Sequence, residues 1–151
     1  SLPHVIDGNY ALSFDGSNDI ISIPSSSSMI AQTNALTIAS WVKVPTNPSN
    51  NWATLVGGRA GNGYTFYVGG NNDGGKARIN ICCTNASELV GTTDLRDNKW
   101  HYVVASYSGS VYKIYVDGVL EATSNSFNTD LTDYNGGSNI YAYLLEVFKS
   151  N

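Results

Sequence analysis

The sequence predicts an all-β domain, and two features of the 151-residue chain carry that prediction. The first is composition: 15 Gly and 10 Tyr accompany many Ser, Thr and Asn, while only 13% of residues are charged. Such a composition favours strands joined by tight turns over helices. The second is spacing, because short extended segments recur with turn signals between them, as in a sandwich or barrel. The length fits a single domain, residues 1–151, with one core.

Extended segments bounded by turn residues define the predicted strands. The predicted strands are 10–14, 20–23, 36–44, 53–57, 64–68, 76–83, 88–92, 100–107, 111–116, 119–123 and one near 139–148. Between two of them, "VDGVL" places Asp117 and Gly118 where a type I′ turn requires positive φ. The strands on either side of this turn should therefore pair antiparallel.

Alternation along each strand predicts which side chains form the core. Since neighbouring residues of a strand point to opposite faces, Ile38, Val42, Ile79 and Ile114 should meet inside the sandwich. The opposite faces combine polar and aromatic side chains: Trp41, Lys43, Tyr67, Arg78, Asn80 and Tyr115. Of these, Trp41 and Tyr115 are expected to be packed, because aromatic side chains mostly contribute buried area.

Charge and hydropathy exclude two classes of partner. The formal net charge is −4, and the sequence has no basic stripe with which to neutralise a phosphate backbone, so nucleic acid is not expected as a partner. No apolar run approaches the roughly 20 residues needed to span a bilayer. The start, "SLPHVIDGNY", lacks the pattern of a signal peptide. We therefore expect a soluble domain that does not insert into membranes.

Several segments, in order, resemble a known family. These segments are "ALSFDGSNDIISIP", "LTIASWVKV", "DNKWHYVVASYSGSVYKIYVDGVLEATS" and "SNIY". Together they resemble the laminin-G-like, concanavalin A-like lectin/glucanase domains of the pentraxin-related type, over nearly the whole chain. The resemblance implies a two-sheet antiparallel jelly-roll sandwich, in agreement with the predicted strands.

The turn in "ALSFDGSNDIISIP" has two interpretations. Asp and Gly are common turn residues, so Asp15, Gly16 and Asp19 fit a simple turn between two strands. The resemblance instead implies a structural calcium near this turn, with Asp15 and Asp19 as hard oxygen ligands. The sequence departs from the family at its end, where "YLLEVF" has Leu145 in place of the usual aspartate before Glu146. The segment between "SNIY" and this ending is also shorter than in the family by about one hairpin, two strands of ~5 residues, which predicts an incomplete C-terminal edge through which copies of the chain could pair.

Catalytic patterns are missing from the sequence. Enzymes of the resembled superfamily carry a Glu-x-Asp-x-x-Glu strand, whereas the three glutamates here, Glu88, Glu121 and Glu146, lie far apart. Asp94 and Asp97 flank Arg96 in a predicted loop, which favours a solvated salt bridge. His101 follows Trp100 inside a strand, where a packing role is expected. We therefore predict that the domain is not an enzyme.

A non-catalytic binding function remains, and the sequence leaves its partner open. A sugar site needs an aromatic platform with a few hydrogen-bonding groups around it. The candidate ligand-binding residues are Trp52, Arg59, Asn62, Tyr64, Tyr67, Arg78 and Asn80. The prediction is a lectin-like or adhesion module that binds a glycan or an extracellular protein, outside the cell or at its surface. The alternatives are a structural domain that self-assembles through an edge strand, and an accessory domain of a glycoside hydrolase.

Overall fold

The computed structural model describes residues 4–5, 12–14, 19, 21–23, 35–48, 52–57, 64–69, 74–81, 88–108, 111–125 and 140–142. This part of the chain contains twelve strands: β1 (His4–Val5), β2 (Leu12–Ser13), β3 (Ile21–Ile23), β4 (Ala35–Lys43), β5 (Trp52–Gly57), β6 (Tyr64–Gly69), β7 (Ala77–Ile81), β8 (Glu88–Val90), β9 (Trp100–Ser108), β10 (Val111–Val116), β11 (Val119–Ser124) and β12 (Ile140–Ala142). Every strand predicted from the sequence overlaps one of these, and β1 is additional. Within the same residues no helix is long and apolar enough to cross a membrane.

The strands form two main antiparallel sheets and one small one. One sheet has the order β11-β10-β9-β4, and the other has the order β3-β12-β5-β6-β7-β8. β1 and β2 pair separately. The predicted two-sheet antiparallel sandwich is thereby confirmed. β12, near the predicted incomplete C-terminal edge, lies between β3 and β5, while residues 143–151 lie outside the described part.

The core fills the space between the two main sheets. Ile38, Val42, Ile79 and Ile114 all belong to one buried cluster, as the alternation predicts. Phe66 and Tyr112 are fully buried in it, and Tyr112 stacks on Tyr107 with ring centroids 4.4 Å apart. Burying side chains of this size stabilises the fold by about 1.5–3 kcal/mol each. The outward residues of each strand are consequently the ones available to a ligand.

A tight turn and a bulge shape the β10–β11 hairpin. Asp117 and Gly118 have φ of 51° and 82°, which confirms the predicted type I′ turn. Further along, Ile114 pairs with Ala122 and Tyr115 with Leu120, so Glu121 is the extra residue of a β-bulge. The bulge allows the Glu121 side chain to reach the loop between β8 and β9.

The loop of residues 91–99 closes one end of the sandwich as it crosses from one sheet to the other. Leu95 is fully buried in the core, and its N–H donates to the Gly75 carbonyl at 3.1 Å. Gly75 has a φ of 64°, and a Cβ there would lie 2.3 Å from Asp94 Oδ1. Any other residue at position 75 would be strained at this positive φ and would force the Asp94 and Arg96 side chains to move.

Candidate functional site

The outer face of the four-stranded sheet presents large aromatic side chains to solvent. On β9 the buried residues Val103, Ala105 and Tyr107 alternate with outward residues, so Trp100 and Tyr102 point away from the core. Trp41 is the register partner of Tyr102 on the neighbouring strand β4. The exposed fractions are 60% for Trp41, 42% for Trp100 and 36% for Tyr102. We call Trp41, Trp100 and Tyr102 the aromatic face.

The exposure of Trp41 contradicts one expectation. The sequence predicts a packed Trp41, but the residue lies on the outward side of β4, and the core side of that strand is filled by Ile38 and Val42. The Trp41 side chain is therefore not part of the core. Neighbouring exposed aromatic residues on one sheet face make this surface a candidate binding site.

Trp41 and Tyr102 form a corner rather than a flat stack. Their ring centroids are 5.2 Å apart, and the ring planes are inclined by 45°. This separation is within the range of favourable aromatic pairs, so each ring holds the other in place. The corner offers one apolar ring face and, from Tyr102, a hydroxyl group at its edge.

Basic and polar side chains flank the aromatic face along the strands. Lys43 is the register partner of Trp100 and lies two residues from Trp41 on the same side of β4. In the opposite direction, Val104 pairs with Tyr115, and Ser106 pairs with Lys113. From Lys43 to the row of Lys113 the surface covers three steps of two residues, roughly 20 Å. A surface of that length is a candidate site for an elongated ligand.

A histidine held by two carboxylates lies on β9 between Trp100 and Tyr102, and strand alternation puts its side chain on the opposite side of the strand from theirs. His101 Nδ1 is 2.7 Å from Asp117 Oδ2, and His101 Nε2 is 3.1 Å from Asp97 Oδ1. Asp117 also bonds the backbone of Tyr102 twice: Tyr102 N–H donates to Asp117 Oδ1, and Asp117 N–H donates to the Tyr102 carbonyl, both at 2.8 Å. The packing role expected for His101 is thus a polar one, between a loop and a turn.

The protonation equilibria of these groups are shifted towards the charged forms. Burial lowers the pKa of His101, but hydrogen bonds to Asp117 and Asp97 outweigh burial and raise the pKa above its ordinary value. The hydrogen bond from His101 is the main cause that lowers the pKa of Asp117. For Asp97, burial raises the pKa, but hydrogen bonds from Lys99 and His101 outweigh burial, so the pKa lies below its ordinary value.

Glu121 and Arg96 fix the loop next to this network. Glu121 Oε2 accepts from the N–H groups of Thr92 at 2.8 Å and Thr93 at 3.2 Å, and Glu121 Oε1 accepts from the Thr93 hydroxyl. Burial raises the pKa of Glu121, but these hydrogen bonds outweigh it, and the pKa lies below its ordinary value. Arg96 Nη2 lies 2.6 Å from Asp94 Oδ2, as the salt-bridge prediction for this loop requires.

The sequence-predicted site lies on the other sheet, and the structure brings part of it together. Tyr67 and Arg78 are register partners on β6 and β7, and Asn80 lies two residues beyond Arg78 on the same face of β7. Arg78 Nη1 is 3.0 Å from Glu88 Oε2, with both side chains largely shielded from solvent. Burial raises the pKa of Glu88 despite this contact. This face therefore holds an ion pair where the other holds aromatic rings.

The remaining predicted site residues lie on β5, on β6 and outside the described part of the chain. Trp52 begins β5 opposite Gly69, and Tyr64 begins β6 opposite Ile81. Arg59 and Asn62 lie outside the described residues. The assignment of these side chains to a ligand site stays a prediction.

The predicted calcium ligands are described only in part. Asp19 is half-buried between β2 and β3, and Asp15 lies outside the described residues. Among the residues that the structure describes, no three Asp, Glu, His or Cys side chains cluster as a metal centre. Calcium at Asp15 and Asp19 stays a prediction.

Sequence reasoning did not identify Trp100 and Tyr102 as part of the site. The alternation of "WHYVVASY" contains the signal, because Val103, Ala105 and Tyr107 alternate with Trp100 and Tyr102 on opposite sides. The pairing of Trp41 with Tyr102 depends on the register between β4 and β9, which are separated by more than fifty residues of chain. The register between two strands so far apart in the chain cannot be predicted from the sequence of either strand alone.

Comparisons with known proteins agree with the architecture. Two structures of the Ruminococcus gnavus IT-sialidase CBM40 align with 16% identity; the first has a TM-score of 0.58 over 76% of this chain and 66% of that chain. The second, bound to α2,3 sialyllactose, has a TM-score of 0.59 over 80% of this chain and 74% of that chain. Domains LG4-5 of the mouse laminin α1 chain align at 18% identity and a TM-score of 0.57, over 88% of this chain and 34% of that one.

The chain thus spans just under two thirds of the first of these structures and about a third of the laminin chain. At such identities the structural similarity shows the fold. No curated protein sequence matches the chain. A family profile of laminin G type, described as the concanavalin A-like lectin/glucanases superfamily, matches residues 15–143. The chain therefore belongs to the concanavalin A-like lectin/glucanases superfamily.

Proposed function

We propose that this domain is a non-catalytic carbohydrate-binding module and that its ligand lies on the aromatic face. The observation that carries the proposal is the exposure of Trp41, Trp100 and Tyr102 on one regular sheet surface. Two tryptophans more than 40% exposed, on neighbouring strands of one sheet face, contribute little to the core. Contiguous exposed aromatic side chains are typical of binding surfaces.

The geometry of the corner suits a pyranose ring. One face of such a ring carries axial hydrogens and is apolar, and its rim carries hydroxyl groups. The apolar face stacks on the Trp41 indole, while the Tyr102 hydroxyl and the Lys43 ammonium supply hydrogen bonds to the rim. Because the Trp41 and Tyr102 rings are inclined by 45°, the corner presents two differently oriented ring faces to a longer glycan.

A binding role is favoured over hydrolysis by the state of the nearest carboxylates. Asp97 and Asp117, the two carboxylates that contact His101, have lowered pKa values and are held in the ionised form. A glycosidase needs one carboxyl group with a raised pKa to protonate the leaving oxygen. Membership of a superfamily that includes lectins fits this reading.

The test is a glycan array followed by calorimetry with matched variants on the two sheet faces. The array includes sialyllactose, because a structure of similar fold was solved with that sugar. We expect Trp41→Ala to abolish binding and Arg78→Gln to leave it unchanged. The opposite pattern would move the site to the face of β6 and β7, with Tyr67 and Asn80 as its next candidates. Binding of no glycan by the folded protein would overturn the proposal.

A second function, adhesion to another protein or to a second copy, is favoured by one observation. Val119 and Leu120 are 64% and 47% exposed at the start of β11, and Leu120 pairs with Tyr115 on the outward face. An apolar extension of the aromatic face suits a protein surface better than a sugar. Light scattering distinguishes self-association, since Leu120→Lys would then yield a monomer. Under either function we propose an extracellular or cell-surface location, as expected for laminin-G-like domains.

Calcium at Asp15 and Asp19 is a separate proposal with its own measurement. A metal that binds the folded state raises the melting temperature in proportion to the logarithm of its concentration. We expect millimolar calcium to raise Tm in the natural protein and less so in Asp19→Asn, with magnesium as the control ion. An equal rise in both proteins would exclude Asp19 as a ligand.

A further inference from the structure

The contacts of His101 require a doubly protonated ring. Ionised carboxylates only accept hydrogen bonds, and Asp117 and Asp97 approach different nitrogens of the same imidazole at 2.7 and 3.1 Å. A neutral imidazole has a single N–H group, so it satisfies one carboxylate and turns a lone pair towards the other. Only the imidazolium form donates to both.

The two carboxylates belong to different segments, so the protonated ring joins them across β9. Asp97 lies in the 91–99 loop, and Asp117 is the first residue of the turn between β10 and β11. His101 itself lies between Trp100 and Tyr102, two of the three residues of the aromatic face. Asp117 in addition fixes both backbone groups of Tyr102. His101 therefore connects the 91–99 loop to the β10–β11 turn through contacts that depend on its protonation. We call these contacts the junction.

Few other charged groups lie near the His101 ring in the described part of the chain. Lys99 Nζ lies 3.3 Å from Asp97 Oδ2, and the Lys99 N–H donates to Asp97 Oδ1 at 2.9 Å. On β4, the register partner of His101 is the apolar Val42, followed by Lys43 opposite Trp100. Further back in the loop, Arg96 is engaged with Asp94. Among the described residues, His101 is the group near this junction that titrates close to neutral pH.

We infer that His101 is a positioning residue that makes glycan binding by the aromatic face depend on pH, with the protonated ring holding Trp100 and Tyr102 in the binding geometry. This inference rests on the proposed function, since it concerns the affinity of the same face. When the proton is lost, one of the two contacts is broken and repulsion replaces it. Either the 91–99 loop or the β10–β11 turn then loosens beside the aromatic residues, and affinity falls.

The direction of the pKa shift agrees with this geometry. The pKa of His101 lies above its ordinary value of about 6.5, so the bridging form persists to higher pH than in an isolated histidine. A ligand that prefers the bridged form raises this pKa further, because binding and protonation favour the same state. Glycan binding should therefore take up protons.

The experiment measures glycan affinity and His101 protonation on the same intact protein between pH 5.5 and 8.5. The glycan is the best ligand from the array, and nitrogen-15 NMR of the histidine rings follows Nδ1 and Nε2 separately. We expect the affinity to fall roughly fivefold across the titration of His101, which is the low end of typical couplings between sites. His101→Gln, neutral at every pH, should bind with an affinity that does not change over this range. The control is His4→Gln, since the chain contains two histidines.

The outcomes separate this inference from the proposed function. An affinity that is constant from pH 5.5 to 8.5 while the NMR signals of His101 titrate overturns the inference and leaves carbohydrate binding intact. A pH dependence that persists unchanged in His101→Gln also overturns it. Failure to bind any glycan even at pH 5.5, with His101 doubly protonated, overturns the proposed function itself. If His101→Gln does not fold, coincidence of the NMR and affinity midpoints in the natural protein decides the question.

Discussion

The outer face of the four-stranded sheet and the outer face of β7 and β8 are built from the same alternation but carry opposite chemistry. The first exposes Trp41 and Tyr102, whose rings contact each other and solvent. The second places Arg78 against Glu88 with both side chains largely shielded. The charges of a shielded ion pair are compensated within the protein, whereas exposed rings leave apolar area in contact with water. The comparison teaches that a shielded charged pair in a sheet face supports the fold, whereas unshielded rings make the better candidate for a ligand site.

Among the polar contacts, breaking the ion pair should cause the largest change in stability. Arg78→Ala leaves the Glu88 carboxylate shielded and facing no guanidinium, so we expect the free energy of unfolding to fall by about 2 kcal/mol. Urea denaturation measures the difference. Glu88→Gln is the matched variant, and it should cost less because the amide carries no charge. A loss below about 0.5 kcal/mol in Arg78→Ala would mean that water solvates Glu88 as well as Arg78 does.

The bulge residue should have the next largest effect. In Glu121→Ala the N–H groups of Thr92 and Thr93 lose their common acceptor, and Thr92 is exposed enough for water to replace part of it. We expect a loss of about 1–2 kcal/mol, again from urea denaturation. Thr123→Ala, an exposed position two residues further along β11, is the control and should change little. Equal stability of the two variants would show that the loop does not depend on Glu121.

The pH dependence of stability should be smaller and have a defined sign. The pKa of His101 is raised in the folded protein, so its contribution is complete below about pH 6.5 and is lost as the pH rises through the folded value. The pKa values of Asp97 and Asp117 are lowered, so their contributions hold above about pH 4 and are lost as the pH falls through the folded values.

Melting temperature should therefore be highest between about pH 4 and 6.5 and decline on both sides. Solvent screening keeps the change on the alkaline side below about 1 kcal/mol. Calorimetry in buffers of equal ionic strength measures it. The decline above pH 6.5 should disappear in His101→Gln, and its persistence there would assign it to another group.

The smallest expected change in stability is at the residue most important for the proposed ligand. Trp41 is 60% exposed, so Trp41→Ala removes little buried area, and we expect a loss below about 0.5 kcal/mol. The matched substitution in the core, Phe66→Ala, should cost about 3–5 kcal/mol. Urea denaturation of the two variants compares an aromatic residue of the surface with one of the core. A large loss in Trp41→Ala would contradict its assignment to a ligand rather than to the fold.

The fold could be predicted from the sequence because its signals are local. The turn at Asp117 and Gly118 and the alternation of Ile38 with Val42 each depend on a few adjacent residues. Which of the two outer sheet faces carries the candidate site could not be predicted in the same way. The expectation that Trp41 is packed used the average behaviour of tryptophan, while its true environment depends on which strand lies beside β4 and in which register. The contact between His101 and Asp117 likewise follows from a hairpin that brings residues sixteen apart together.

The distribution of aromatic residues also gives the protein two separate optical signals. Trp41 and Trp100 lie at the surface on the aromatic face, whereas Tyr107 and Tyr112 are stacked in the core. The emission of Trp41 and Trp100 therefore responds to events at the solvent boundary, and the near-ultraviolet dichroism of Tyr107 and Tyr112 reports the packing of the interior. Titration with a ligand and melting of the sandwich can consequently be followed in one cuvette at different wavelengths.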